Sequence, residues 1–269
     1  MEGPWLPALL MFLGAALYTS VGHAGASAYI AVMALFGFAP AVMRPTALVL
    51  NVLVASFTSF RYVRAGLFRW RTLWPLLIGA LPMAFVGGTI ELPGHYYRPL
   101  VGIVLLIAGG RLLWGGELRP HAAIRDLPIA GGIASGAAIG LLSGLTGTGG
   151  GIFLSPLILL LGWSDPRTAS GIAAVFILCN SVAGLAGNFA SLQVLPPDLP
   201  VYAGAVALGA IVGTTFGIRW QPPMILRALG LVLCIAGLKL VGVYCPSQAG
   251  LWPGSAGLIA SSVVQGVVG

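Results

Sequence analysis

Along this chain apolar residues form long unbroken stretches, and polar residues collect in short clusters between them. A spanning helix needs about 20 apolar residues. Stretches that suit lie near 46–60, 72–90, 99–115, 199–218 and 224–243, the first of them short and open to extension at either end. Two further stretches are too long. From Gly3 to Met43 nothing is charged if His23 is neutral, and from Leu127 to Ser164 there is again no charge. As one helix, either would measure roughly 55–60 Å, about twice the hydrocarbon thickness of a bilayer. Each must therefore break or fold back. The breaks are expected at the glycine-rich spots SVGHAGAS (20–27) and GLTGTGGG (144–151), because irregular backbone at membrane depth survives only when buried in protein or lining a wet cavity. Asp165-Pro166 reads as the N-cap and first residue of the next helix.

The two halves repeat one another. A constant offset of 125 residues pairs Gly22 with Gly147, Gly25 with Gly150, Gly37 with Gly162, Ser56 with Ser181, Pro75 with Pro200, Gly79 with Gly204, and Gly88-Thr89 with Gly213-Thr214. The loop 61–71 carries Arg61, Arg64, Arg69 and Arg71, whereas its counterpart near 188–197 carries no basic residue. Basic loops stay in the cytoplasm, so equivalent loops fall on opposite sides. The expected fold is an all-α integral membrane protein of two inverted repeats, each a broken or re-entrant glycine-loop helix pair followed by three spanning helices. Residues 1–115 form the first repeat, 116–127 a cytoplasmic linker, 128–244 the second repeat, and 245–269 a C-terminal segment with room for a partial span.

Composition agrees. The chain is 58% hydrophobic and 7% charged, where a soluble domain carries about 25% charged residues. The net charge of +7 does not point to nucleic acid, because the basic residues cluster beside hydrophobic ends and orient the chain in the membrane. Glu2 and the lack of a basic start mark the first segment as retained, not a cleaved leader. Cys179, Cys234 and Cys245 have no metal spacing and read as packing residues. No metal or cofactor is expected. The partners are lipid and a small solute, and a homodimer is compatible with the sequence.

Inverted repeats with broken helices are the layout of many secondary transporters, with the substrate at the breaks. Glycines let backbone approach a ligand closely. Where such a loop opens a helix, free N–H groups and the helix dipole favour an anion. Gly149, Gly150 and Gly151 are therefore the first candidates, with Thr146 and Thr148 as hydroxyl donors. Ser20, His23, Gly25 and Ser27 would face them from the first repeat, and Asn51 and Asn180 are further polar candidates. His23 is the one histidine deep in an apolar stretch, and either a proton carrier or a hydrogen bond between helices fits it. All 13 Lys and Arg fall at segment ends or in loops on this reading, as do the carboxylates Glu2, Glu91, Glu117, Asp126, Asp165 and Asp198. Packing is the rival account of the glycines, because Gly140-x-x-x-Gly144 and Gly147-x-x-x-Gly151 have the spacing that lets membrane helices pack closely.

The segment GLLSGLTGTGGGIFLSPLILLLG (140–162), continued by DPRTASGIAAVFILCNSVAG (165–184), resembles the glycine-rich signature of the sulfite exporter TauE/SafE family of bacterial membrane permeases. That resemblance implies a two-repeat transporter of small sulfur-containing or organic anions such as sulfite or sulfonates. It is weaker in the first half, where SVGHAGAS has His23 and fewer glycines. Two rivals are an anion channel and an intramembrane serine hydrolase, the latter with Ser143 or Ser135 as nucleophile and His23 as base. A phosphate loop is excluded, because Ile152 and Phe153 stand where Lys and Ser or Thr would follow the glycines.

Overall fold

The computed structural model describes residues 4–114, 126–189, 195–217 and 223–242. Among these residues all regular structure is helical. The first half forms α1 (Trp5–Ser20), α2 (Ala26–Leu35), α3 (Pro40–Arg64), α4 (Trp70–Thr89) and α5 (Gly94–Trp114). The second forms α6 (Ile129–Thr146), α7 (Gly151–Leu160), α8 (Pro166–Gly187), α9 (Leu199–Gly217) and α10 (Pro223–Val241). Both overlong stretches break at their glycine clusters, between α1 and α2 and between α6 and α7. Among the described residues five helices, α3, α4, α6, α8 and α9, are long and apolar enough to cross a membrane. The short stretch at 46–60 extends at both ends into the 25-residue α3, with Pro45 near the helix start, where a missing N–H costs little. Arg219, most of the linker and the 245–269 segment lie outside the described residues.

The fold is apolar outside, and polar side chains are set among the apolar ones inside. Ile78, Phe85 and Val86 on α4, Ile103 and Ile107 on α5, and Leu208, Ile211 and Phe216 on α9 are exposed, whereas Thr46, Asn51, Asn180 and Ser181 are buried. A surface of this kind is solvated by lipid, and lipid tails give no hydrophobic drive for one helix to seek another. Close backbone approach supplies the attraction instead. Gly136, Gly140 and Gly144 of α6 lie against Leu76, Ala80 and Ala84 of α4 in ascending register, so near that a Cβ on any of them would overlap the facing carbonyl. α4 and α6 are therefore parallel. α1 and α9 meet in the same way, with Gly209 on Phe12 and Gly213 on Ala16.

α3 and α8 run antiparallel: Asn51 bonds Ser181 while Leu48 lies beside Gly184. α5 and α10 are also antiparallel, because Gly102 meets Gly237 and Val241 while Gly237 reaches Leu106. The two glycine hairpins enter from opposite ends of the bundle. Gly132, at the base of α6–α7, packs on Pro75 near the start of α4, whereas α2 runs back to the end where Pro40 of α3 lies beside Gly94 of α5. The most extensive helix pairings all join one half to the other.

Asp165 caps α8, its carboxylate accepting from Arg167 N–H at 3.1 Å and Thr168 N–H at 3.0 Å. Partial burial pushes its carboxyl up, but these backbone donors and the Thr168 hydroxyl outweigh burial and hold it below the usual aspartate range.

Two outcomes follow from this packing and capping. Gly140→Val overlaps the Ala80 carbonyl and should destabilise by about 1–3 kcal/mol, whereas Gly204→Ala, with open space around it, should leave the thermal midpoint in detergent unchanged or raised. Equal losses would refute the close-packing account. Because the carboxyl of Asp165 is lowered on folding, its stabilisation is present above the ordinary carboxylate range near about 3.9 and fades as pH falls through the lowered value. Asp165→Asn keeps a neutral cap and should remove that acid-side pH dependence in denaturant titrations, while Asp165→Ala should cost about 1 kcal/mol.

Candidate functional site

The two hairpin tips are built alike. α1 ends with Gly22 N–H on Thr19 O and His23 N–H on Tyr18 O, a double bond pattern that needs a left-handed residue, and Gly22 has φ 78°. α6 ends with Gly147 at φ 80°, its N–H on Ser143 O at 2.8 Å. Gly25 and Gly150, 125 residues apart, then act as left-handed N-caps of α2 and α7 at φ 96° and 80°.

The tips are held by side chains from outside. Tyr62 donates to the carbonyls of Thr19 and Ser20, and Tyr97 donates to Thr146 O at 3.1 Å. Tyr29 closes the first tip on itself, donating to Ala24 O. Arg44 is buried although it stands near the start of α3, contrary to the expectation that every cation reaches a loop or an accessible end. Its guanidinium donates to the carbonyls of Gly87, Gly88 and Ile90 at the end of α4, and its aliphatic stem lies against Gly147. A cation on unsatisfied carbonyls at a helix C-terminus is favourable, so Arg44 is occupied structurally.

His23 joins the two halves. Its Nε2 lies 2.9 Å from Gly151 O and 3.1 Å from Ser155 Oγ, and its Nδ1 lies 3.2 Å from Val21 O. Around it is a small space lined by Tyr18, His23, Gly25, Ser27, Asn51, Thr148 and Gly151 among others, with about 10 Å³ for the centre of a water-sized sphere. That is room for about one water. Beside it the backbone N–H groups of Thr148, Gly149, Gly150, Gly151 and Ile152 have no hydrogen-bond partner among the described residues, and the first donors of α7 to find a carbonyl are Phe153 and Leu154, both on Gly150 O. Left-handed glycines within such a run turn successive N–H groups toward a common point.

The side chains around the space divide. The Ser27 hydroxyl donates to the Tyr18 oxygen at 2.7 Å, which leaves the phenol proton of Tyr18 free to donate. Asn51 Nδ2 donates to Ser181 Oγ at 2.8 Å and Asn180 Nδ2 to Gly149 O at 3.4 Å, and both amide oxygens are buried without a partner. Rotating the Asn51 amide would let its oxygen accept from Ser181 and free its NH₂ for the cavity. The Thr146 hydroxyl donates to Leu142 O, so Thr148, 2.9 Å away, gives its own proton to Thr146. Ser20 turns its hydroxyl onto Leu17 O.

Of the residues singled out from sequence, His23, Gly25, Ser27, Asn51, Thr148 and Gly151 come together at the cavity, while Ser20, Thr146, Gly149, Gly150 and Asn180 do not line it. Sequence reasoning missed Tyr18, Ser155, Ser181 and Arg44. Only Arg44 carried a local signal, an isolated cation in the apolar context VMRPTALV (42–49). The packing alternative holds for Gly140 and Gly144, whereas Gly147, Gly149 and Gly150 adopt loop conformations. Ser135 bonds carbonyls of its own helix and Ser143 Oγ is buried without a partner. The serine that meets His23 is Ser155.

A broken-helix bundle of this design now meets its relatives. Residues 7–240 match the family described as Sulfite exporter TauE/SafE. The chain belongs to this family. It is 38% identical over 239 residues to a "Probable membrane transporter protein y4hK" of Sinorhizobium fredii, covering 87% of this chain and 96% of that one. A "Probable membrane transporter protein" of Xylella fastidiosa is 31% identical over 110 residues, 40% of this chain and 42% of its own length. The "Probable membrane transporter protein MamO" of Paramagnetospirillum magneticum is 26% identical over 238 residues, 73% of this chain but 37% of the larger relative. No solved structure matches the chain. This TauE/SafE protein is thus a multi-pass membrane transporter.

Arg44→Met removes a buried cation and leaves three carbonyls unpaired, and should cost about 1–3 kcal/mol. Arg44→Lys should not restore it, because a single ammonium nitrogen cannot stand at the two separate points from which Nη1 meets Ile90 O and Nη2 meets Gly87 O and Gly88 O. Thermal unfolding in detergent, with exposed Arg64→Lys as the comparison, checks this; a stable Arg44→Lys variant would refute the clamp.

Proposed function

We propose that the protein moves small sulfur-containing or organic anions, such as sulfite or sulfonates, through the place where the two hairpin tips meet. The observation that carries this is the run of five unpartnered backbone N–H groups, 148–152, beside the cavity shared with Tyr18, His23, Ser27 and Asn51. A bare charge at the bilayer centre costs at least several kcal/mol. A hydrogen bond to a charged group contributes roughly 1.5–3 kcal/mol, so three or four neutral donors offset the dehydration of a small anion. A free guanidinium would hold the ion too tightly for release, and Arg44 is tied to α4. The likeness to the TauE/SafE signature supports sulfur oxyanions within the wider anion class.

The cavity holds about one water in this conformation, so the site must widen for an anion to enter. Residues 1–115 and 128–244 as two inverted repeats would let each hairpin gate one side. The antiparallel course of α3 and α8 and of α5 and α10, and the entry of the hairpins from opposite ends, support that reading. The arginine cluster of 61–71 then faces the cytoplasm.

Purified protein should be selectively stabilised against heat by one member of the panel sulfite, sulfate, thiosulfate, sulfoacetate and acetate, and flux of that anion into liposomes should saturate. Non-saturating flux would favour a channel, and indifference to every anion would overturn the proposal. Tyr18→Phe should raise the half-saturating concentration roughly ten- to a hundredfold with the fold intact. Thr148→Val should weaken transport only if that hydroxyl turns from Thr146 to the anion.

A further inference from the structure

We propose that His23 takes up one proton with each monovalent anion, so that the protein carries the two together across the membrane. This rests on the anion site proposed above. The argument starts from what surrounds the ring. Val21 O lies against Nδ1 at 3.2 Å and Gly151 O against Nε2 at 2.9 Å. Both are backbone carbonyls and can only accept. A neutral imidazole has one N–H, so in either tautomer one lone pair faces a carbonyl oxygen. The imidazolium, with two N–H groups, satisfies both at once. Ser155 Oγ, 3.1 Å from Nε2, can donate to the neutral ring and accept from the charged one, which makes it the partner that adapts.

Among the described residues nothing else near the ring supplies charge. From α1 comes Tyr18, its ring edge-on at 6.2 Å; from α2 comes Tyr29, its hydroxyl committed to Ala24 O; from α3 come Tyr62, committed to the carbonyls of Thr19 and Ser20, and the neutral Asn51. α7 offers Ser155, and α8 offers Ile177. Among the described residues no carboxylate, lysine or arginine lines the cavity. A protonated His23 would therefore be an uncompensated charge in the membrane interior, and so would an anion held by amides alone. Each removes the other's penalty, because His23 lines the space the anion would occupy. By linkage, the proton and the anion raise each other's affinity equally. The proton comes from water on the loading side and returns to water on the releasing side, and the pair crosses without net charge.

The test uses purified wild-type protein in liposomes with a pH dye inside, and methanesulfonate, isethionate or sulfoacetate added outside; the first two are strong-acid monoanions that neither buffer nor permeate as neutral acids. Entry of methanesulfonate or isethionate should acidify the interior by one proton per anion, above the level in protein-free liposomes. Entry should also be indifferent to an imposed membrane potential. A monoanion moving alone would change its equilibrium accumulation about fiftyfold for about 100 mV. His23→Gln should abolish acidification, and any residual anion entry should become sensitive to potential. Entry of either monoanion by wild-type protein without acidification, or with the full response to potential, overturns this inference alone. Persistence of the wild-type proton ratio in His23→Gln also overturns it. If none of the three anions enters, this coupling falls, while the anion site proposed above stands or falls on the stabilisation panel.

Discussion

A membrane interior gives no water to an exposed peptide group, and every interrupted helix within it must find partners in the protein itself. The structure is organised around this constraint. Two helices are broken by glycine, and carbonyls freed at each break are taken up by groups from distant parts of the chain. Tyr62 and Tyr97 bond carbonyls at the last turns of α1 and α6, and His23 reaches from one break to the carbonyl of Gly151 in the other. Among the described residues the N–H groups left over are those of 24–28 at the first tip and of 148–152 at the second, and the proposed anion site draws on the latter.

Much of the architecture was legible in the sequence because its cause is local. Overlong apolar stretches cannot span a bilayer as single helices, and glycine marked where α1 and α2, and α6 and α7, separate. The Asp165-Pro166 start of α8 was also legible, since an N-cap is a contact between neighbours in sequence. What stayed hidden depends on long-range contact. Tyr18 looks like any aromatic residue in an apolar helix until Ser27 is seen to donate to it. Ser155 gains meaning only from His23, which lies 132 positions away. Arg44 sat close enough to a helix start to pass for a surface cation, and its burial depends on the carbonyls of α4. The hydroxyls of Ser20 and Thr146 bond the carbonyl about one helical turn back in their own helices, a contact that their place beside the glycine clusters does not reveal.

The glycines carry two kinds of work that composition alone cannot separate. In α6, Gly136, Gly140 and Gly144 remain helical and bring backbone against α4, whereas a few residues later Gly147, Gly149 and Gly150 leave the helix altogether. The close-packed seam therefore leads directly into the irregular tip. Any sideways shift of α6 along α4 would be passed to the N–H run with little loss, since the intervening chain is a regular helix ending at Thr146.

The interlocked pairing has a further consequence. α6 finds its snug parallel companion in α4, and α1 finds its own in α9, so each half lends a helix to the other. Severed at the linker, neither fragment would retain a mate for its small-residue face. Two separately made halves would have to find each other in the bilayer before either seam could close.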